Sequence, residues 1–133
     1  DLHSFPTRRS SDLHIALVLM CIDNNARMAR VLERGMDCGL SVLACGQERL
    51  SRHFAGRTDD QLLVEFAWYG GVPVIAGALA HFICRVTDSY VAGDHTVQIA
   101  AVEHFAVFER APLLFYSGVY CRVQRGDAAA VQR

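Results

Sequence analysis

The chain has 133 residues, 52% hydrophobic and 20% charged, with a formal net charge of -1. That is one domain's worth of chain, with enough apolar residues for a core, so the composition suits a compact globular protein rather than a chain disordered throughout. No long basic run follows Arg9, which leaves no electrostatic grip on nucleic acid. The longest apolar run, Ile15 to Ile22, is shorter than the roughly 20 residues that cross a bilayer, so no membrane span is expected.

Ile15 to Ile22 is continuous, has β-branched members and is stopped by Asp23-Asn24-Asn25. It reads as a strand buried on both faces. The same Asp-Asn-Asn cluster suits a helix N-cap, and Met28, Val31 and Leu32 follow at helical spacing, with Gly35 as the stop. Cys38 to Ala44 reads as a second strand. Gln47 to Ala55 reads as a second short helix, with Leu50, His53 and Phe54 on one stripe and Gly56 at its end. The stretch from Leu62 to Tyr69 fits helix or strand, and Gly70-Gly71-Val72-Pro73 breaks the pattern in either case. From Ala78 to Val86 the even positions are all apolar, which predicts a period-2 strand. Ala92-Gly93-Asp94 supplies a turn, and His95 to Phe105 alternates Val97, Ile99 and Ala101 against Thr96, Gln98 and Ala100, so a long β-hairpin is expected. A last strand, Leu113 to Tyr116, leads into Ser117-Gly118-Val119-Tyr120, and residues 125–133 read as a flexible tail. Strands dominate, so the expected class is mainly β with two short helices, closing as a small antiparallel barrel.

None of the common nucleotide-binding, zinc-protease or serine-hydrolase spacings occurs. The five cysteines (Cys21, Cys38, Cys45, Cys84 and Cys121) are odd in number and include no CxxC pair. That pattern fits reduced thiols in a cytosol, and no histidine or cysteine pair has zinc-ligand spacing, so no metal site is expected. His95, just after the Gly-Asp turn, either faces a cleft at the barrel rim or is a surface histidine. Tyr116 and Tyr120 flank Gly118, as aromatic framing of a close approach or as ordinary strand-end packing. Asn24, Asn25 and Arg27 form either an anion site at a helix start or a plain cap beside a solvated arginine.

Four stretches, in order, carry a family resemblance: LVLMCIDNNARMARVL, SVLACGQERLSRHFAG, GVPVIAGALAHFICRV with AGDHTVQIAAVEHF, and PLLFYSGVY. Together they resemble the flavin reductase family, small FMN-binding split-barrel proteins, over nearly all of Ile15 to Tyr120. The resemblance implies a split β-barrel and hydride transfer from NADH or NADPH to FMN or FAD. It also implies a homodimer that can feed reduced flavin to a two-component monooxygenase. On it, Asn25 and Arg27 lie at the flavin phosphate, Ser51 and Phe54 near the flavin, His95 on the nicotinamide side as the catalytic candidate, and Tyr120 at the ring-stacking mouth. A non-catalytic flavin-binding or dimerising barrel is the alternative, because the family's hydroxyl-bearing run at the phosphate is here Asn25-Ala26-Arg27-Met28. Two lost hydroxyls, at roughly 1 kcal/mol each, would weaken FMN binding by about an order of magnitude or more.

The second departure is HSFPTRRSSDL, His3 to Leu13. Thr7-Arg8-Arg9 before an apolar run has the look of a twin-arginine export signal, and Arg-Arg-Ser-Ser that of a kinase site. The whole string, however, matches the translation of a common short-read sequencing adapter at every residue. Residues 1–13 are therefore expected to be non-native and residues 14–124 to form the domain, without the family's first strands. With that part of the site gone, these 133 residues are expected to bind FMN poorly.

Overall fold

The computed structural model describes residues 15–124; the adapter-like segment at 3–13 and the tail at 125–133 lie outside the described residues. Its strands are β1 (Leu17–Asp23), β2 (Asp37–Val42), β3 (Phe66–Tyr69), β4 (Val72–Ile75), β5 (Ala80–Ala92), β6 (His95–Val107), β7 (Leu114–Tyr116) and β8 (Val119–Cys121), with one helix, α1 (Glu48–Phe54). Four strands form an antiparallel sheet in the order β1-β6-β5-β2, and β3–β4 and β7–β8 form separate two-stranded hairpins. The expected long hairpin is the centre of this sheet. Its arms are 13 residues each, and Gly93 turns between them at φ 62°. The pairing passes over Glu103 on one arm and Thr87 on the other, and such bulges bend a sheet.

Cys84, Val86 and Ala100 are fully or almost fully buried on one face of the sheet. On the other face Ile83 packs with Val72 and Val74 of β4, and Ala67 and Tyr69 of β3 lie against them. Both faces of β5 are thus covered, which explains why His81, on the odd-numbered face, is as buried as its apolar neighbours.

Three expectations need correction. β1 is not buried on both faces: Leu17 and Leu19 are 54% and 68% exposed, because β1 pairs only with β6 among the described residues and turns one face outward. The predicted first helix is a four-residue 3₁₀ turn, Arg27–Arg30, without a side-chain cap. Asp23 instead accepts the Asn25 N–H at 2.7 Å, a local turn that competes with a longer helix. In β6 the even-numbered side faces inward, with Gln98, Ala100 and Ala106 buried. Ala100 faces Val86, and the Gln98 amide reaches the Leu32 carbonyl from the interior at 3.4 Å. Finally, Gly70-Gly71 joins strands rather than breaking a pattern. Both glycines take positive φ (55° and 84°), as a two-residue hairpin turn requires, and Val72 and Pro73 begin β4.

Candidate functional site

A cavity of about 820 Å³ opens between β1, the 3₁₀ turn, β2, α1 and the β3–β4 hairpin. That volume lies within the usual range for small-molecule sites. Its walls are apolar: Met20 and Ile22 from β1, Leu40 from β2, Phe54 from α1, and Phe66 and Val74 from the hairpin. Asp37, Cys38, Ser41 and Ser51 are the residues of this lining with polar side chains. Apolar walls with a few placed donors suit a flat heteroaromatic ring, since burial favours the ring and the donors fix its orientation.

Gln47 fastens α1 in place. Its side chain accepts the Ala44 N–H at 2.9 Å and donates to the Ala76 carbonyl at 2.9 Å. Ser51, one turn along α1, accepts the Tyr120 hydroxyl at 2.9 Å. The Arg52 guanidinium sits 4.8 Å over the Tyr120 ring and pairs with Glu48 at 2.7 Å. Three of the sequence candidates are therefore grouped: Ser51 and Phe54 line the cavity, and Tyr120 is hydrogen-bonded to Ser51.

Asn25, Arg27 and His95 make a second group, at the end of β1. None of the three lines the cavity, although Met28, beside Arg27 in the same turn, does. Asp23 faces His95 across the β1–β6 ladder. Asn24 ties this end to the β5–β6 turn: its N–H donates to the Asp94 carbonyl at 2.9 Å, and Thr96 donates to its side chain at 2.7 Å. His95 Nδ1 lies 2.8 Å from the Asp94 carboxylate. That hydrogen bond raises the imidazole pKa above its ordinary value and holds the carboxylate below its own.

Sequence reasoning passed over Ser41 and His81. The Ser41 hydroxyl accepts the Ile75 N–H at 2.8 Å, and His81 Nε2 meets the Ile75 carbonyl at 2.8 Å. The legible hint was a lone hydroxyl inside the apolar run CGLSVLA. Among the described residues no three His, Cys, Asp or Glu side chains group as metal ligands, and no helix is long and apolar enough to cross a membrane.

The model of the family described as flavin reductase like domain matches residues 10–124. An NADH-dependent flavin reductase from a Rhodococcus species is 40% identical over 111 residues, covering 84% of this chain and 63% of that protein. Among solved structures, the flavin reductase PheA2 superposes with a TM-score of 0.75 at 36% identity, covering 82% of this chain and 71% of that one. The flavin reductase of the styrene monooxygenase from Pseudomonas putida superposes at 0.74 with 31% identity, covering 83% and 72%. These likenesses establish the fold as mainly β, of split-barrel type, with one α-helix among the described residues where two short helices were expected. The chain spans less than two thirds of the length of several curated relatives, between 55% and 64%.

Proposed function

The chain belongs to the flavin reductase family, and on that premise we propose that it is an NAD(P)H:flavin oxidoreductase supplying reduced FMN or FAD to a separate monooxygenase component. The observation that carries this reading is the apolar cavity with two hydroxyls in its wall. The residues present fit a flavin: the space suits a tricyclic ring, and Ser41 and Ser51 suit its polar edge. When bound, a flavin supplies the two-electron acceptor for hydride from a reduced nicotinamide.

The remaining work falls to the chain. Phe54, Phe66 and the aliphatic wall exclude water and fix the plane of a bound ring. Tyr120 holds Ser51. Arg27 and Asn25 offer a guanidinium and an amide to the flavin phosphate, and His95, whose cationic form Asp94 favours, serves the nicotinamide nucleotide. A homodimer belongs to the reading, supported by the exposed Leu17 and Leu19 on β1. A cytoplasmic setting belongs to it too, supported by the free cysteines.

The single tryptophan makes the test direct. Trp68 stands 6.4 Å from Phe66, a cavity residue, so flavin entry should quench its fluorescence. FMN and FAD are titrated through the micromolar range and above, and NADH and NADPH consumption is followed with each flavin. Weak quenching, saturating only above the micromolar range, together with flavin-dependent NADH oxidation is expected. The second reading, a non-catalytic flavin binder, is favoured by the absence of hydroxyls at Ala26 and Met28; quenching without turnover would select it. Neither quenching nor turnover would sink both.

A further inference from the structure

We propose that Ser41 is a donor that helps to set the orientation of the ring in this cavity, an inference that rests on the flavin reading above. Ser41 lies in β2 directly opposite His81 of β5. Between them the two side chains hold both main-chain polar groups of Ile75, the last residue of β4. A carbonyl can only accept, so His81 Nε2 carries the proton and Nδ1 is left as an acceptor. Nδ1 has no partner among the described residues, and the rings of Tyr69 and Phe108 pack beside it. The histidine is therefore committed to the hairpin and has nothing to offer a ligand.

Ser41 differs. Its oxygen accepts from Ile75, which anchors the side chain, while its own O–H has no acceptor among the described residues. The residue also lines the cavity. A hydroxyl held by a backbone N–H, in an apolar wall, with its donor unspent, is preorganised for a ligand acceptor. The pyrimidine side of an isoalloxazine carries such acceptors, two carbonyl oxygens and two ring nitrogens, and its benzenoid side carries none. Ser51, the other hydroxyl-bearing residue of the lining, likewise accepts from Tyr120, so a donor at Ser41 adds to the preference for the entry that brings the pyrimidine side to β2. Asp37, also in β2, accepts only and cannot substitute when ionised.

The experiment compares Ser41→Ala, Ser41→Thr and His81→Leu with the parent, reading FMN affinity by Trp68 quenching, the midpoint potential of bound FMN, and Tm. Ser41→Ala should lose affinity by roughly three- to tenfold, the worth of one hydrogen bond. It should also make the midpoint potential more negative, because a donor to the pyrimidine edge favours the charge that reduction adds. Ser41→Thr keeps the hydroxyl and should stay within about twofold of the parent. His81→Leu breaks the other half of the Ile75 clamp and should lower Tm while leaving affinity within about twofold. Equal losses of affinity in Ser41→Ala and His81→Leu would reduce Ser41 to a structural role and overturn the proposal, as would a Ser41→Ala protein with unchanged affinity and potential. If the parent itself binds no flavin, the functional reading falls and this inference falls with it. Parent binding with an indifferent Ser41→Ala rejects the inference alone.

Discussion

Two hairpins flank the main sheet, and they are attached by different physics. β3–β4 belongs to the core: Val74 is 1% exposed and Val72 8%, both packed on Ile83, and Ile75 is bonded at each of its polar backbone atoms. β7–β8 lies on the surface. All three residues of β7 are exposed, and the hairpin is held by the Ala44–Pro112 bridge, the Tyr120–Ser51 hydrogen bond and the Arg52–Tyr120 contact. Buried apolar area supports the first, and a few polar contacts beside water support the second. The first can therefore fix the width of the cavity, whereas the second brings an aromatic ring to Ser51 with little stability at stake.

The comparison breaks most visibly at Gly39. A Cβ there would fall on the Pro73 carbonyl oxygen and within 2.8 Å of Val74 Cγ1, so Gly39→Ala must push β4 off β2. Overpacking against backbone costs up to about 3 kcal/mol, and Tm should fall by roughly 10 °C. FMN quenching of Trp68 should weaken along with it. A Tm within about 2 °C of the parent would show that β3–β4 is not seated as described.

A matched pair of truncations sharpens the contrast. Val74→Ala removes two buried methyls and should cost about 2 kcal/mol in urea unfolding, with the slope unchanged. Tyr116→Ala in β7 removes a far larger side chain that is 77% exposed, and should cost less than about 0.5 kcal/mol. Equal costs would erase the distinction between the hairpins. Tyr120→Phe comes next in size. It deletes the hydroxyl that Ser51 accepts and should cost roughly 0.5–1 kcal/mol, because Arg52 still covers the ring. Its clearer readout is a raised KM for flavin, since Ser51 then loses its partner.

How much of this was legible in the sequence follows from how local each determinant is. The β5–β6 hairpin was, because the even-numbered apolar positions from Ala78 to Val86 and the turn glycine Gly93 are local signals. β4 was not. Val72-Pro73-Val74 follows two glycines, and what makes it a strand is seating on Gly39, Ser41 and Ile83, residues far away in the chain. The inward face of β6 is not legible in the alternation either. Gln98 is buried with its amide on the Leu32 carbonyl, 66 residues away, and the period-2 pattern does not show that partner. Among the candidate site residues, a resemblance carried Ser51 and Phe54 onto a helix that forms, where both line the cavity. Ser41 was passed over because its use depends on Ile75, 34 residues away.

The smallest effect is expected where neither hairpin reaches, at the Asp94–His95 pair beside the β5–β6 turn, the far end of the long arms from His81. The hydrogen bond to Asp94 raises the His95 pKa above 6.5, so its contribution to stability is complete below 6.5 and fades as pH rises through the raised value. Asp94 is the mirror case. Its pKa lies below 3.8, so its contribution is present above 3.8 and fades as pH falls through the lowered value. The pair is strongest between those two ordinary values, and its exposure to solvent keeps its effect on Tm slight. Asp94→Asn should bring the His95 titration, followed by proton NMR of the imidazole, back down toward 6.5, with Tm and FMN quenching of Trp68 unchanged. An unmoved His95 titration would mean that the carboxylate is not its partner in solution. A change in Trp68 quenching would mean that this end of the sheet and the cavity are coupled, and that the β3–β4 hairpin is not the sole determinant of the cavity's shape.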